Sequence, residues 1–223
     1  MGTVQATAVR LPAAGVFLDG DLRIPERAAG LVVFAHGSGS SRFSRRNRQV
    51  AEFLEARGFA TLMLDLLTQQ EDAVDQRTLE FRFDIARLGH RVVAAVDWAD
   101  THPDIRGLPV CCFGASTGAA AALVAAAERP DRMQAVVSRG GRPDLAADAL
   151  PLVKAPTLLI VGGADEPVIE LNRDAMRRMT APTQLEIVPG ATHLFEEPGT
   201  LEQVCRVAAA WCAQHLLPLK NRA

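Results

Sequence analysis

Three residues far apart in the chain, Ser116, Asp165 and His193, have the types that acyl transfer from a serine requires. A serine hydroxyl is a poor nucleophile at neutral pH and needs an adjacent base. An imidazole can take its proton and return it to the leaving group. A carboxylate on the other ring nitrogen fixes the tautomer and stabilises the imidazolium. Ser116 stands at the centre of Gly114-Ala115-Ser116-Thr117-Gly118. Between a strand and a helix, a Gly-x-Ser-x-Gly run makes a sharp turn with a strained serine whose Oγ is exposed. Each residue also has a plainer reading. Ser116 could sit in an ordinary glycine-rich turn, Asp165 could cap a helix, and His193 could be a loop histidine. Glu166 is an alternative acid beside Asp165.

The pattern around these residues supplies the elements that must hold them. Leu108–Phe113 is a short apolar run that reads as a buried strand, and Ala119–Ala127 reads as a helix of strong formers. Upstream, Val4–Val9 and Val16–Ile24 read as a hairpin turning at Pro12–Gly15. Leu31–Ala35 is continuously apolar, as in a parallel strand covered on both faces, and ends in the loop His36–Ser41. A helix is expected over 44–57, a strand over Phe59–Leu64, a polar surface loop over Thr68–Thr78 and a helix over Leu79–Asp100. Downstream come strands at Ala135–Ser138, Thr157–Val161 and Gln184–Val188, and helices over Pro167–Met179 and Thr200–Leu216. Strand and helix alternate along the chain, so the expected architecture is a single α/β domain over residues 1–223. Its sheet is doubly wound and mostly parallel, with an antiparallel N-terminal hairpin.

In such a sheet, sites form at the carboxyl ends of the strands. Ser116, Asp165 and His193 all fall at strand ends, in that order along the chain. The developing oxyanion needs preorganised donors. The backbone N–H of Thr117, at the start of a helix, is one candidate, and Ser38 in the first βα loop is the other. His36 reads as structural, and His90, His102 and His215 as solvated helix residues.

The residues that carry these features also carry a family resemblance. His36-Gly-Ser-Gly-Ser-Ser-Arg42, Gly114-Ala-Ser-Thr-Gly118, Gly162-Gly-Ala-Asp165 and Gly190-Ala-Thr-His193-Leu-Phe-Glu-Glu-Pro198 resemble the α/β-hydrolase superfamily. Within it, they resemble the dienelactone-hydrolase-like group over nearly the whole chain. The resemblance implies Ser116 as nucleophile, Asp165 as acid, His193 as base and Ser38 in the oxyanion loop. Dienelactone hydrolases proper have cysteine at the elbow, whereas position 116 here is serine. The resemblance therefore implies ordinary carboxylesterase chemistry and leaves the lactone substrate open.

Only 18 residues, Arg139 to Pro156, separate two consecutive expected strands, which is too few for a cap domain. The site should therefore be open and suited to small, accessible esters. Phe43 and Phe195 are candidates to line it. Arg139, at a strand end beside the elbow, is a candidate to bind a substrate carboxylate as a bidentate fork; its plainer reading is a surface or ion-pair arginine. Net charge is −2, so no basic balance calls for nucleic acid, and no apolar run is long enough to span a membrane. The four cysteines show neither metal-ligand spacing nor a disulfide framework. With no leader pattern at the start of the chain, the expectation is a cytoplasmic protein with a small-molecule ester substrate, no metal and no cofactor. Self-association is compatible with it. Three alternatives remain: acyl transfer or perhydrolysis by the same triad, a non-catalytic module of the same fold, and a nucleotide-binding module. The last is suggested by Gly37-Ser-Gly39 and Asp65 but lacks a third glycine, since Arg42 stands there.

Overall fold

The computed structural model describes residues 4–217. Eight strands form one sheet: β1 (Ala6–Ala13), β2 (Val16–Arg23), β3 (Leu31–Ala35), β4 (Ala60–Leu64), β5 (Val110–Ala115), β6 (Met133–Arg139), β7 (Thr157–Gly162) and β8 (Thr183–Val188). Their spatial order is β1-β2-β4-β3-β5-β6-β7-β8. β1 pairs antiparallel with β2, and β2 pairs antiparallel with β4; all other pairs are parallel. The hairpin turns at Ala14-Gly15, both with positive φ, so Pro12 lies inside β1 rather than in the turn. β1 is an edge strand, where proline's missing N–H is tolerated.

The central strands are buried on both faces, and their alternation sorts side chains into two helix layers. From β3, Leu31, Val33 and Ala35 enter one apolar cluster, and Val32 and Phe34 enter the other. The first cluster packs against α3 (Ile85–Ala99) and α4 (Thr117–Glu128), the second against α1 (Arg45–Glu55) and α6 (Thr200–Leu216). This is the α/β-hydrolase fold. Between β6 and β7 the chain forms a kinked 3₁₀ segment, Pro143–Leu152, and no inserted domain. Among the described residues, no helix is long and apolar enough to cross a membrane.

One expected element differs in kind. The polar stretch read as a loop is helix α2 (Gln69–Thr78). It has almost no apolar stripe, so periodicity does not reveal it. It is held by its ends instead. The Thr68 hydroxyl accepts from the Glu71 N–H, and the Glu71 carboxylate accepts from the Thr68 N–H, a reciprocal capping box. Glu71 also accepts from both terminal nitrogens of Arg91 on α3, at 2.6 and 2.7 Å. Burial favours the neutral carboxyl, but these donors outweigh it and hold Glu71 at about 2. Leu79 then closes α2 with a positive φ, and α3 starts at Ile85, six residues later than periodicity places it. The buried Asp75 carboxylate fixes the intervening turn by accepting from the N–H groups of Phe81 and Arg82 and from Arg82 Nε.

Candidate active site

β5 runs directly into the elbow. Ser116 takes φ 51° and ψ −121°, a conformation that L-residues avoid. A Cβ at Gly114 would fall within 3.0 Å of the Ala119 and Gly118 backbone, and one at Gly118 within 3.0 Å of the Ala35 and His36 carbonyls. No side chain fits at either place, so the two glycines are a steric requirement of the turn. Thr117 is the first residue of α4, and its N–H has no acceptor within the helix. The Thr117 hydroxyl bonds to the Ser38 hydroxyl at 3.0 Å, which ties the loop after β3 to the elbow.

That loop is set by His36. The ring donates from Nδ1 to the Gly37 carbonyl at 2.9 Å and accepts the Leu66 N–H at Nε2, also at 2.9 Å. Both ring nitrogens are therefore committed. Burial pushes its pKa down, partly opposed by the Gly37 carbonyl and by Asp65 and Asp72, so the ring is held neutral. The neighbouring Arg42 pairs with Asp65 and Asp21, and Asp65 also accepts the Arg42 N–H at 2.7 Å.

Asp165 follows β7, and His193 follows β8. His193 Nδ1 lies 2.7 Å from Asp165 Oδ2. Asp165 occupies the N-cap position of α5 (Glu166–Arg178), but its side chain makes no capping bond. Its carboxylate goes to the imidazole, and Glu166 points to solvent. The His193 loop is braced from both sides. The Glu197 carboxylate accepts from the Thr192 hydroxyl and N–H, at 2.6 and 3.1 Å, and the Phe195 ring is buried in the core. With Nδ1 engaged by Asp165, His193 lines the same cavity as Ser116. This cavity, of about 230 Å³, is lined by both residues together with Ser38, Asn47, Arg139 and Leu194.

A model of the dienelactone hydrolase family matches residues 18–216. The chain belongs to the dienelactone hydrolase family. A dienelactone hydrolase of known structure from Anabaena variabilis is 57% identical, covers 96% of this chain and 99% of its own, and superposes with a TM-score of 0.94. Est1E from Butyrivibrio proteoclasticus, at 19% identity, covers 93% of this chain and 98% of its own with a TM-score of 0.77, and shares the fold. Two Mycobacterium tuberculosis proteins, from strains H37Rv and CDC 1551 / Oshkosh, are 56% identical over 213 residues, which is 96% of this chain and 46% of theirs. Both bear the name "Putative phosphoribosyl transferase", and the present chain spans about half their length.

Two expected pocket residues of this family member lie elsewhere. Phe43 is exposed, with the guanidinium groups of Arg42 and Arg48 over its ring at 4.3 and 5.2 Å. It lines a neighbouring cavity of about 360 Å³ with Asp19, Asp65 and Asp72. Phe195, at 2% exposure, anchors the histidine loop in the core, and the exposed Leu194 takes the place at the cavity wall. Arg139 does reach the cavity, where it meets Asn47, which the sequence reading passed over. Asn47 shares the buried face of α1 with Val50, Ala51 and Leu54, so a polar residue in the core phase of a helix was the available signal.

The other histidines take no part. His90 pairs with Glu128 at the surface, and His102 stacks on Trp98. His215 packs on Trp211 rather than standing in solvent. All four cysteines are buried thiols. Burial pushes Cys112 up to about 12, and contact with Cys212 together with burial raises Cys111, so neither supplies a thiolate beside the elbow.

Proposed function

We propose that this protein hydrolyses small carboxylic esters through an acyl-enzyme on Ser116. The observation that carries the reading is one cavity holding a serine at positive φ and an imidazole whose Nδ1 is fixed by a carboxylate 2.7 Å away. In this reading, Ser116 Oγ attacks the ester carbonyl as His193 Nε2 takes its proton. The Asp165 carboxylate stabilises the imidazolium that forms. The tetrahedral oxyanion sits against the N–H of Thr117, at the positive end of α4, and the N–H of Ser38. His193 then gives its proton to the leaving alcohol. A water, deprotonated by the same ring, cleaves the acyl-enzyme and restores Ser116. The short β6–β7 connection leaves this site uncovered, which suits compact substrates that need no lid.

The test is direct. A fluorophosphonate probe should label the wild-type protein and not Ser116→Ala. Turnover of p-nitrophenyl acetate should fall by about 10⁴-fold or more in the same variant, with an unchanged circular dichroism spectrum. Labelling retained in Ser116→Ala, or no turnover by folded wild-type protein, overturns the proposal.

A further inference from the structure

Asn172 lies on the buried face of α5, the helix that follows Asp165, and is fully buried. Its Nδ2 donates to two carbonyls, that of Val168 at 2.7 Å within the helix and that of Gly141 at 3.0 Å outside it. Two acceptors on one nitrogen fix the orientation of the amide, and Oδ1 has no partner among the described residues. A buried amide satisfied on one side only is a poor packing residue, because an apolar side chain of the same shape avoids its desolvation. The bond to Gly141 bears on the elbow through two peptide planes. The Gly141 carbonyl and the Arg142 N–H belong to one planar unit, and that N–H donates to the Ser116 carbonyl at 3.1 Å. The Ser116 carbonyl and the Thr117 N–H belong to the next, and the Thr117 N–H has no acceptor within α4. The same turn holds the other side of the serine, since the Ser116 N–H donates to the Arg139 carbonyl at 3.2 Å. Only glycines allow the turn this path. Gly140 has φ 51°, and a Cβ at Gly141 would collide with Ser138 Oγ.

We infer that Asn172 is a positioning residue for the oxyanion hole. It fixes the Gly141–Arg142 peptide, which orients and polarises the Ser116–Thr117 peptide whose N–H meets the developing oxyanion. Hydrogen bonds in series strengthen one another in a low-dielectric interior, so donation to the Gly141 carbonyl makes each N–H further along a better donor. The Ala119 N–H, which also reaches the Ser116 carbonyl at 3.1 Å, adds to the same polarisation. The donor is thereby set in place before substrate arrives, as oxyanion stabilisation requires. Because α5 also starts at the triad acid, one helix steadies both Asp165 and the peptide beyond the nucleophile. The kinetic consequence rests on the ester-hydrolase reading, while the chain of bonds does not.

The experiment has two arms. The first is NMR on deuterated, isotope-labelled protein. In wild type, a coupling across the hydrogen bond should connect the Arg142 nitrogen with the Ser116 carbonyl carbon. Asn172→Leu should move the Thr117 amide proton upfield. Ser138→Ala, which alters a neighbouring buried hydroxyl that has no partner among the described residues, should leave it in place. A missing wild-type coupling, or a Thr117 proton that ignores Asn172→Leu in folded protein, overturns the inference. The second arm measures p-nitrophenyl acetate turnover, with active sites counted by fluorophosphonate titration. In Asn172→Leu, kcat per titrated site should fall about tenfold, less than the roughly 10²–10³ of losing an oxyanion donor outright, with KM unchanged. Inhibition by a trifluoromethyl ketone, whose adduct with Ser116 carries the same oxyanion, should weaken by a similar factor. Asn172→Ser is the milder variant, since its hydroxyl back-bonds to the Val168 carbonyl but does not reach Gly141, and it should show the same loss. A merely structural Asn172 would lower the melting temperature and the number of titratable sites but spare kcat per site and inhibitor affinity, and that result also overturns the inference. No labelling or turnover by folded wild type would sink the hydrolase reading and leave the chain of bonds to be decided by the couplings. Normal wild-type turnover with kcat per site unchanged in both variants would do the reverse.

Discussion

Asp65 and Asp165 both lie just past the carboxyl end of a buried strand, β4 and β7 respectively, on the same rim of the sheet. Asp65 accepts from the side chain and the N–H of Arg42, and Asp165 accepts from His193. The partner decides what each carboxylate can do. An arginine keeps its charge at any working pH, so its pair with Asp65 is a fixed strut for the loop after β3. An imidazole can pass a proton through its second ring nitrogen, so Asp165 orients a group suited to proton transfer rather than a strut. The arginines repeat the contrast. Arg42 is met by two carboxylates, and Arg139, across the elbow, by none among the described residues. One flank of the rim pairs its charges internally, while on the other His193 and Arg139 line a cavity with Ser116.

The sharpest way to break this comparison is to neutralise both aspartates in turn. Asp165→Asn should lower kcat about 10⁴-fold by favouring the wrong tautomer of His193, with little change in melting temperature. Asp65→Asn should do the opposite. Weakening the bonds to Arg42 costs about 1.5–3 kcal/mol, or roughly 3–12 °C for a chain of this size, with kcat of the folded fraction retained. Steady-state kinetics beside thermal melts decide the matter. Equal loss of activity in the two variants would remove the distinction between the flanks.

A smaller effect separates the arginines. Arg42→Met leaves Asp65 without its arginine, while Asp21 keeps Arg48 at 2.8 Å, and should cost about 2 kcal/mol, seen as a fall of roughly 4–8 °C in melting temperature. Arg139→Met removes a buried charge with no counter-ion among the described residues, so its melting temperature should hold or rise. A large loss of stability in Arg139→Met would make that arginine a strut as well.

The legible and illegible parts of the molecule divide along the same line. The strands and the positions of Ser116, Asp165 and His193 could be read because apolar runs end abruptly at polar residues, and the sheet gathers those ends. Helix α2 could not be read from periodicity, since its stability comes from Thr68, Glu71 and the distant Arg91. Its capping-box spacing was the one local clue. Phe195 follows the histidine closely, yet a positive φ at that residue turns its ring into the core and leaves Leu194 at the wall. Phe43 was displaced by its neighbours, since Arg42 and Arg48 hold its ring over the adjacent cavity. Whether an arginine is paired depends on contacts remote in sequence: Arg139 and Asn47 are 92 residues apart.

The gentlest test concerns His36, the third polar group at the rim and the one on the closed flank. Its ring is neutral in the fold because burial depresses its pKa below the ordinary 6.5. The unfolded chain therefore binds the proton more readily, so the stability due to His36 is complete above pH 6.5 and drains away as pH falls below that value toward the folded pKa. Protonation would set a second N–H at Nε2 against the Leu66 N–H that it now accepts. His36→Gln keeps a side-chain acceptor but removes the titration. The variant should be less stable than wild type at pH 7.5, and the gap in melting temperature should narrow steadily from pH 6.5 to 5, by at most about 1.4 kcal/mol per pH unit. A gap that stays constant over that range would mean that His36 does not titrate there, and that the closed flank owes its pH response to the carboxylates alone.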